Sequence, residues 1–123
     1  MPDQILLSHG YCLELDPIER KVMRPYPPLG LLYLSAYLKR AGRKVSVFDS
    51  TFSNPERLIE TLRESRPRFL GLYANLMTRS RIVGLMAQAR ELSIPVIAGG
   101  PDASGNAESY LTHGASVVVR GEG

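Results

Sequence analysis

A chain of 123 residues, 44% of them apolar and 22% charged, is long enough for one domain around one core and excludes wholesale disorder. No window approaches the roughly 18–20 apolar residues of a membrane span. The net charge of +3, from 15 basic and 12 acidic residues that do not cluster along the sequence, argues against nucleic acid as a partner.

The only cysteine is Cys12, so an internal disulfide, a zinc site of paired cysteines and an iron–sulfur cluster are excluded. Met1-Pro2-Asp3-Gln4 lacks a basic n-region, so no secretory signal is expected. A reducing, cytoplasmic location is the corresponding expectation.

Gln4 to Ser8 reads as a first strand. A long stretch from His9 to about Pro27 follows, with Pro17, Pro25 and Pro27. Loops of about this length in a compact domain often bind something. Pro28 suits the first turn of a helix running from about Leu29 to Ala41, with Gly42 as its stop. Leu32, Ala36 and Lys39 follow helical spacing beside Leu31, Leu34 and Leu38, which predicts a wide apolar face. Lys39, Arg40 and Lys44 form the densest basic stretch, at this helix end, where cations suit the macrodipole.

Lys44 to Asp49 alternates with period two, a second strand. Ser53 and Glu56 have capping-box spacing, with Pro55 in the first turn. The helix they open buries Leu58, Ile59 and Leu62 and stops before Pro67. Phe69 to Tyr73 is a continuous apolar run, as a strand covered on both faces should be. Ser80 to Leu92 carries Ile82, Leu85, Met86 and Ala89 at helical spacing. Pro95 to Gly99 is a fourth strand, Asn106 to His113 a short helix stopped by Gly114, and Ser116 to Val119 a fifth strand.

This alternation implies an α/β domain spanning residues 1–123, with a parallel sheet and right-handed crossovers. The expected fold is flavodoxin-like, with about five strands in the order 2-1-3-4-5. Ligands of such sheets bind beyond the carboxyl ends of the strands. That rim carries the first loop, Asp49, Tyr73 to Met77, Gly99 to Asp102 and Gly121 to Gly123.

Familiar phosphate sites fail on this rim. Ser8-His9-Gly10-Tyr11-Cys12 is no G-x-G-x-x-G turn and no hydroxyl-rich flavin loop, and no Walker loop occurs. The third strand ends in Tyr73-Ala74-Asn75, without the acid of a response regulator. His9 reads as a partly exposed loop histidine, with axial ligation or acid–base chemistry as the sharper reading. His113 suits a helix C-terminus, and nothing adjacent lowers the pKa of Cys12. Asp49 either ends its strand or binds a ligand hydroxyl. Gly99-Gly100-Pro101 serves either as a turn or as a bed for a large flat ligand.

Pro27-Pro28-Leu29-Gly30-Leu31-Leu32-Tyr33-Leu34, then Leu38, Gly42, Val45 and Asp49, resembles the opening of the cobalamin-binding domain that precedes the catalytic part of cobalamin-dependent radical S-adenosylmethionine proteins. Leu70-Gly71-Leu72, Ile94 to Pro101 and Val117 to Gly123 resemble that domain's later blocks. The resemblance covers nearly the whole chain except Tyr11 to Arg24. It implies a flavodoxin-like fold with the corrinoid across the carboxyl ends of the strands. Gly99 and Gly100 would make room for its nucleotide tail. Tyr73, Ala74, Asn75, Leu76 and Met77 would line the site, with Pro28, Gly30, Pro101, Gly121 and Gly123, and with His9, Gly10 and Asp49 on the same rim.

The chain departs from the pattern twice. The D-x-H-x-x-G motif that gives cobalt a histidine in mutases is missing, since Leu7 stands two before His9. The resemblance therefore implies base-off cobalamin without a protein histidine on cobalt. The chain also stops at Gly121-Glu122-Gly123, where the family continues into a barrel with a three-cysteine motif. The expectation is an excised N-terminal module. Its partner would be a C-terminal radical S-adenosylmethionine domain holding a 4Fe-4S cluster and S-adenosylmethionine, for methyl transfer, cyclisation or rearrangement. The alternative is a stand-alone flavodoxin-like domain used for interaction or small-ligand binding, without cobalamin.

Overall fold

The computed structural model describes residues 5–9, 29–49 and 54–121. The expectations for the long loop with Cys12, and for Gly10, Pro28, Ser53 and Gly123, lie outside these residues.

Five parallel strands form one sheet in the order β2-β1-β3-β4-β5: β1 (Ile5–Ser8), β2 (Val45–Phe48), β3 (Phe69–Tyr73), β4 (Val96–Gly99) and β5 (Val117–Val118). The helices are α1 (Leu29–Arg40), α2 (Pro55–Ser65), α3 (Arg79–Glu91), α4 (Pro101–Gly105) and α5 (Ala107–Thr112). This is the flavodoxin-like order expected from the alternation of elements. The β1-to-β2 crossover runs one way along the sheet and the later crossovers run the other. Right-handed connections therefore place α1 on one face and the later helices on the opposite face.

The larger core lies on the later-helix face. Leu6, Leu70, Leu72, Val96 and Ala98 from the strands meet Leu58 and Leu62 of α2, and Ile82, Leu85, Met86 and Ala89 of α3. The four apolar positions read from the helical period of α3 are all buried. The smaller core lies under α1, where Leu31 packs with Leu7 and Val45, and with partly buried Ile5, Leu38 and Val47. Gly71 of β3 sits beneath Leu7, since a Cβ there would stand 2.6 Å from Leu7 Cδ2.

Helix α1 corrects the expected wide face. Its inward stripe is Leu31, Ser35 and half-buried Leu38, whereas Leu32, Ala36 and Lys39 are exposed. The helix packs chiefly on β1 and β2. On the same face of the sheet, Phe69 and Val117 remain exposed. The sequence pattern overstates the stripe because apolar residues surround α1 on several sides.

Caps follow local chemistry, with one correction. The N-cap of α2 is Asn54, not Ser53: Asn54 is extended, and its side chain accepts from the Arg57 N–H at 2.9 Å. Either residue has the right chemistry, and the chain uses the one directly before Pro55 at the first helical turn. Gly42, with φ +84, ends α1, where the Gly42 and Arg43 N–H groups donate to the carbonyls of Lys39 and Leu38. Two elements escape the periodicity: the 3₁₀ turn Leu76–Thr78, and α4 directly after Gly100. β5 is also shorter than expected, although Ser116 and Val119 still donate to β4 carbonyls at 2.8 Å.

The basic residues, dispersed in sequence, gather in space. Lys39 and Arg40, Arg43 and Lys44, Arg63, Arg66 and Arg68, and Arg90 occupy helix ends or the segments entering strands, and all are exposed. In a parallel sheet these positions share the amino end, opposite the rim where ligands bind. No described helix is long and apolar enough to cross a membrane.

Candidate functional site

The carboxyl edge of the sheet is built from strand register. Ser8 pairs with Phe48 and with Leu72, Tyr73 with Gly99, and Ala98 with Val118. One position further along, Asp49, His9, Tyr73, Gly99 and Val119 form a row across the sheet. Alternation puts this row on the face that α1 partly covers. Sequence reading places these residues on one rim, and the register brings them into one line.

At one end of the row His9 and Asp49 pair. His9 Nε2 lies 2.8 Å from Asp49 Oδ1, so an N–H there donates to the carboxylate. Below them, the Ser8 hydroxyl donates to the Phe48 carbonyl at 2.7 Å. His9 is 7% exposed, which corrects the reading of a partly exposed loop histidine. Sequence reading missed this because its partner lies 40 residues away, at the end of a different strand.

At the other end the glycine pair divides into two roles. Among the described residues, a Cβ on Gly99 would meet Val119 alone, at 3.9 Å, so this position is a gap between Tyr73 and Val119. Gly100 has φ +98, and a Cβ there would stand 2.6 Å from the Ala74 carbonyl oxygen and 3.0 Å from its nitrogen. Gly100 is therefore a backbone necessity, while Gly99 leaves space.

The β3 turn docks on the end of β4. Ala74 N–H donates to the Gly99 carbonyl at 2.8 Å, and Asp102 N–H donates to the Ala74 carbonyl at 3.1 Å. Asn75 caps the 3₁₀ turn, its side chain accepting from Thr78 N–H at 3.0 Å while the Thr78 hydroxyl accepts from Asn75 N–H at 3.3 Å. This capped turn holds Leu76 and Met77 out at 71% and 72% exposure. Pro101 opens α4 and is exposed. The Gly121 N–H donates to the Ser104 hydroxyl of α4 at 3.0 Å. Gly30 stands exposed in the first turn of α1, where a Cβ would meet none of the described residues within 4 Å.

Sequence reading puts Asp102 on the rim without assigning it a role. In the structure it is a buried carboxylate at the centre of a polar cluster. Arg79 donates to both its oxygens, from Nε to Oδ2 at 2.7 Å and from Nη2 to Oδ1 at 2.5 Å. The Tyr110 hydroxyl donates to Oδ2 at 2.5 Å, and Asn106 Nδ2 donates to the Asp102 carbonyl at 3.0 Å. The Arg79 hydrogen bonds, joined by that of Tyr110, outweigh burial and hold the Asp102 carboxyl down at about 2. Burial first, and then the Asp102 carboxylate, push the Tyr110 phenol up to about 12. Arg79 is held above its ordinary value by the same hydrogen bond. The contact from Asp102 to Tyr110 crosses the break at Asn106 between α4 and α5, so helical spacing does not announce it. The reach to Arg79 is not legible. Among the described residues no group of His, Cys, Asp and Glu could hold a metal ion.

The model of the B12 binding domain matches residues 17–123. The chain belongs to this family. The parallel sheet in the order 2-1-3-4-5, with a glycine gap on its carboxyl edge, accords with that membership. No curated protein matches the chain. Among solved structures, the pyridoxal-5'-phosphate dependent protein YhfS from Escherichia coli is similar at 15% identity and a TM-score of 0.44. That likeness covers 79% of this chain and 22% of the other, and it says nothing about function.

The residues present suit cobalamin, the cofactor this family supports. A large ligand with flat apolar faces and a polar periphery needs apolar surface, small residues for close approach and a few hydrogen-bonding groups. The rim of this B12 binding domain offers Leu76 and Met77, the gap at Gly99, and the polar residues His9, Asp49 and Asn75.

Proposed function

We propose that this domain is the cobalamin-binding module of a radical S-adenosylmethionine enzyme, of methyltransferase or of cyclisation or rearrangement type. The observation that carries cobalamin binding is the family match over residues 17–123. The finer reading is supported by the blocks from Pro27 to Leu34 and from Val117 to Gly123, which resemble that class of enzyme.

In this reading the cofactor lies along the row Asp49–His9–Tyr73–Gly99. Cobalt, when present, supplies methyl-group or radical chemistry. Leu76 and Met77 provide apolar surface, fixed before binding by the Asn75–Thr78 cap, so little turn entropy is lost. Gly99 leaves room for the nucleotide tail, while Gly100 keeps the β3 turn against β4. His9 Nε2 is engaged by Asp49, and in this reading, which follows from the missing D-x-H-x-x-G motif, His9 borders a base-off cofactor without ligating cobalt. Gly10, Pro28, Gly30, Pro101, Gly121 and Gly123 complete the proposed lining. The partner is a C-terminal domain carrying a 4Fe-4S cluster and S-adenosylmethionine, in a cytoplasmic enzyme.

A visible-spectrum titration of the chain with hydroxocobalamin and methylcobalamin tests the first part. Saturable binding with a base-off spectrum is expected. A spectrum with a protein nitrogen on cobalt would remove the role given to His9. No binding by the chain or by its full-length parent would return the domain to the interaction-module alternative. Sequencing the native gene beyond Gly123 tests the second part, the expected result being an open frame with three closely spaced cysteines.

A further inference from the structure

The cluster around Asp102 stands beside the candidate site and outside the proposed lining. Its carboxylate is 5% exposed, whereas the Arg79 side chain is 47% exposed. Arg79 is the first residue of α3 and directly follows the turn that carries Leu76 and Met77. Asp102 stands in the first turn of α4, directly after Gly99, Gly100 and Pro101. One two-pronged ion pair thus joins two of the rim's loops, those after β3 and β4, and Tyr110 also donates to the carboxylate.

Stability alone does not account for this arrangement. An ion pair with one buried and one half-exposed partner gains little net energy, because desolvating the carboxylate offsets the attraction and water screens the guanidinium. What the pair adds is direction, because a planar guanidinium on a carboxylate fixes both distance and orientation. The turn it anchors holds two adjacent large apolar side chains, Leu76 and Met77, out in water.

We infer that Asp102, acting through Arg79, is a positioning residue that holds the Asn75–Thr78 turn in the conformation that receives cobalamin. The inference rests on the cobalamin reading above. A turn that is competent for only a tenth of the time weakens apparent affinity about tenfold, even with every contact residue intact.

The test uses Arg79→Lys and Asp102→Asn in the whole chain. Lysine keeps the charge but not the fork, so Arg79→Lys guards against misfolding of Asp102→Asn. In folded variants the amides of Asn75 to Thr78 should exchange with deuterium about tenfold faster, with those of Leu70 to Leu72 unchanged. Hydroxocobalamin should bind about tenfold more weakly, while the melting temperature of Arg79→Lys stays within a few degrees of wild type. Unchanged exchange in the turn overturns the inference. So does unchanged affinity where the wild type binds. A wild-type chain that binds no hydroxocobalamin defeats the cobalamin reading and the role toward the cofactor with it, while the exchange data still decide whether the pair holds the turn.

Discussion

Gly100 and Ala74 approach so closely that a Cβ on Gly100 would stand 2.6 Å from the Ala74 carbonyl oxygen. Neighbouring Gly99 has its closest potential contact at 3.9 Å. The two glycines therefore answer differently to the same substitution. Gly100→Ala forces a side chain into positive φ and onto backbone, and should destabilise by about 2 kcal/mol or more. Gly99→Ala should change stability by less than about 1 kcal/mol. Gly99→Leu should keep the fold and reduce hydroxocobalamin binding at least tenfold. Urea unfolding and a spectroscopic titration measure both arms. Normal affinity in folded Gly99→Leu would move the nucleotide tail elsewhere.

The pH dependence of stability has two limbs with different owners. Asp102 is held at about 2, below its ordinary 3.8. Its contribution is complete above about pH 4 and is lost as pH falls toward 2. Tyr110 is raised from 10.0 to about 12. Its contribution is complete below about pH 10 and is lost as pH rises toward 12. Melting temperature followed against pH should fall on both sides. Asp102→Asn should flatten the acid limb and Tyr110→Phe the alkaline one, and an alkaline limb identical in Tyr110→Phe would show that another group sets it.

Asn54→Ala should cost about 1 kcal/mol, because the Arg57 N–H at the start of α2 loses its acceptor. Asn54→Asp should be neutral or slightly stabilising, since an acid keeps the acceptor and suits the helix N-terminus. Denaturant midpoints of the two variants decide the point. Equal loss in both would mean that the cap bond contributes nothing.

Added salt should raise stability. Arg43, Lys44, Arg66 and Arg68 crowd the amino end of the sheet with the basic helix ends, and no described ion pair engages them. Screening of this like-charge repulsion between about 20 mM and 300 mM salt should raise the melting temperature by roughly 2 °C. A decrease would mean that attractive surface pairs dominate instead.

Much of the fold was legible because its signals are local. Each strand is a short apolar run, each helix a period of three to four residues, and Gly42, Gly114 and the prolines mark boundaries that depend on neighbours in sequence. Chirality set the hand of the crossovers, while the order 2-1-3-4-5 was expected by likeness to flavodoxin-like sheets of about five strands, and the structure shows it. The rim residues were legible as a set because every strand of a parallel sheet points its carboxyl end the same way. Only the tertiary structure decided how they combine. Register put His9 against Asp49 and Gly99 between Tyr73 and Val119. Close backbone approach separated the role of Gly100 from that of Gly99. The Arg79–Asp102 pair spans 23 residues and exists because two crossovers return their helices to one edge. Periodicity says which face a residue takes, but distant partners are chosen by packing and strand register, which no local window contains.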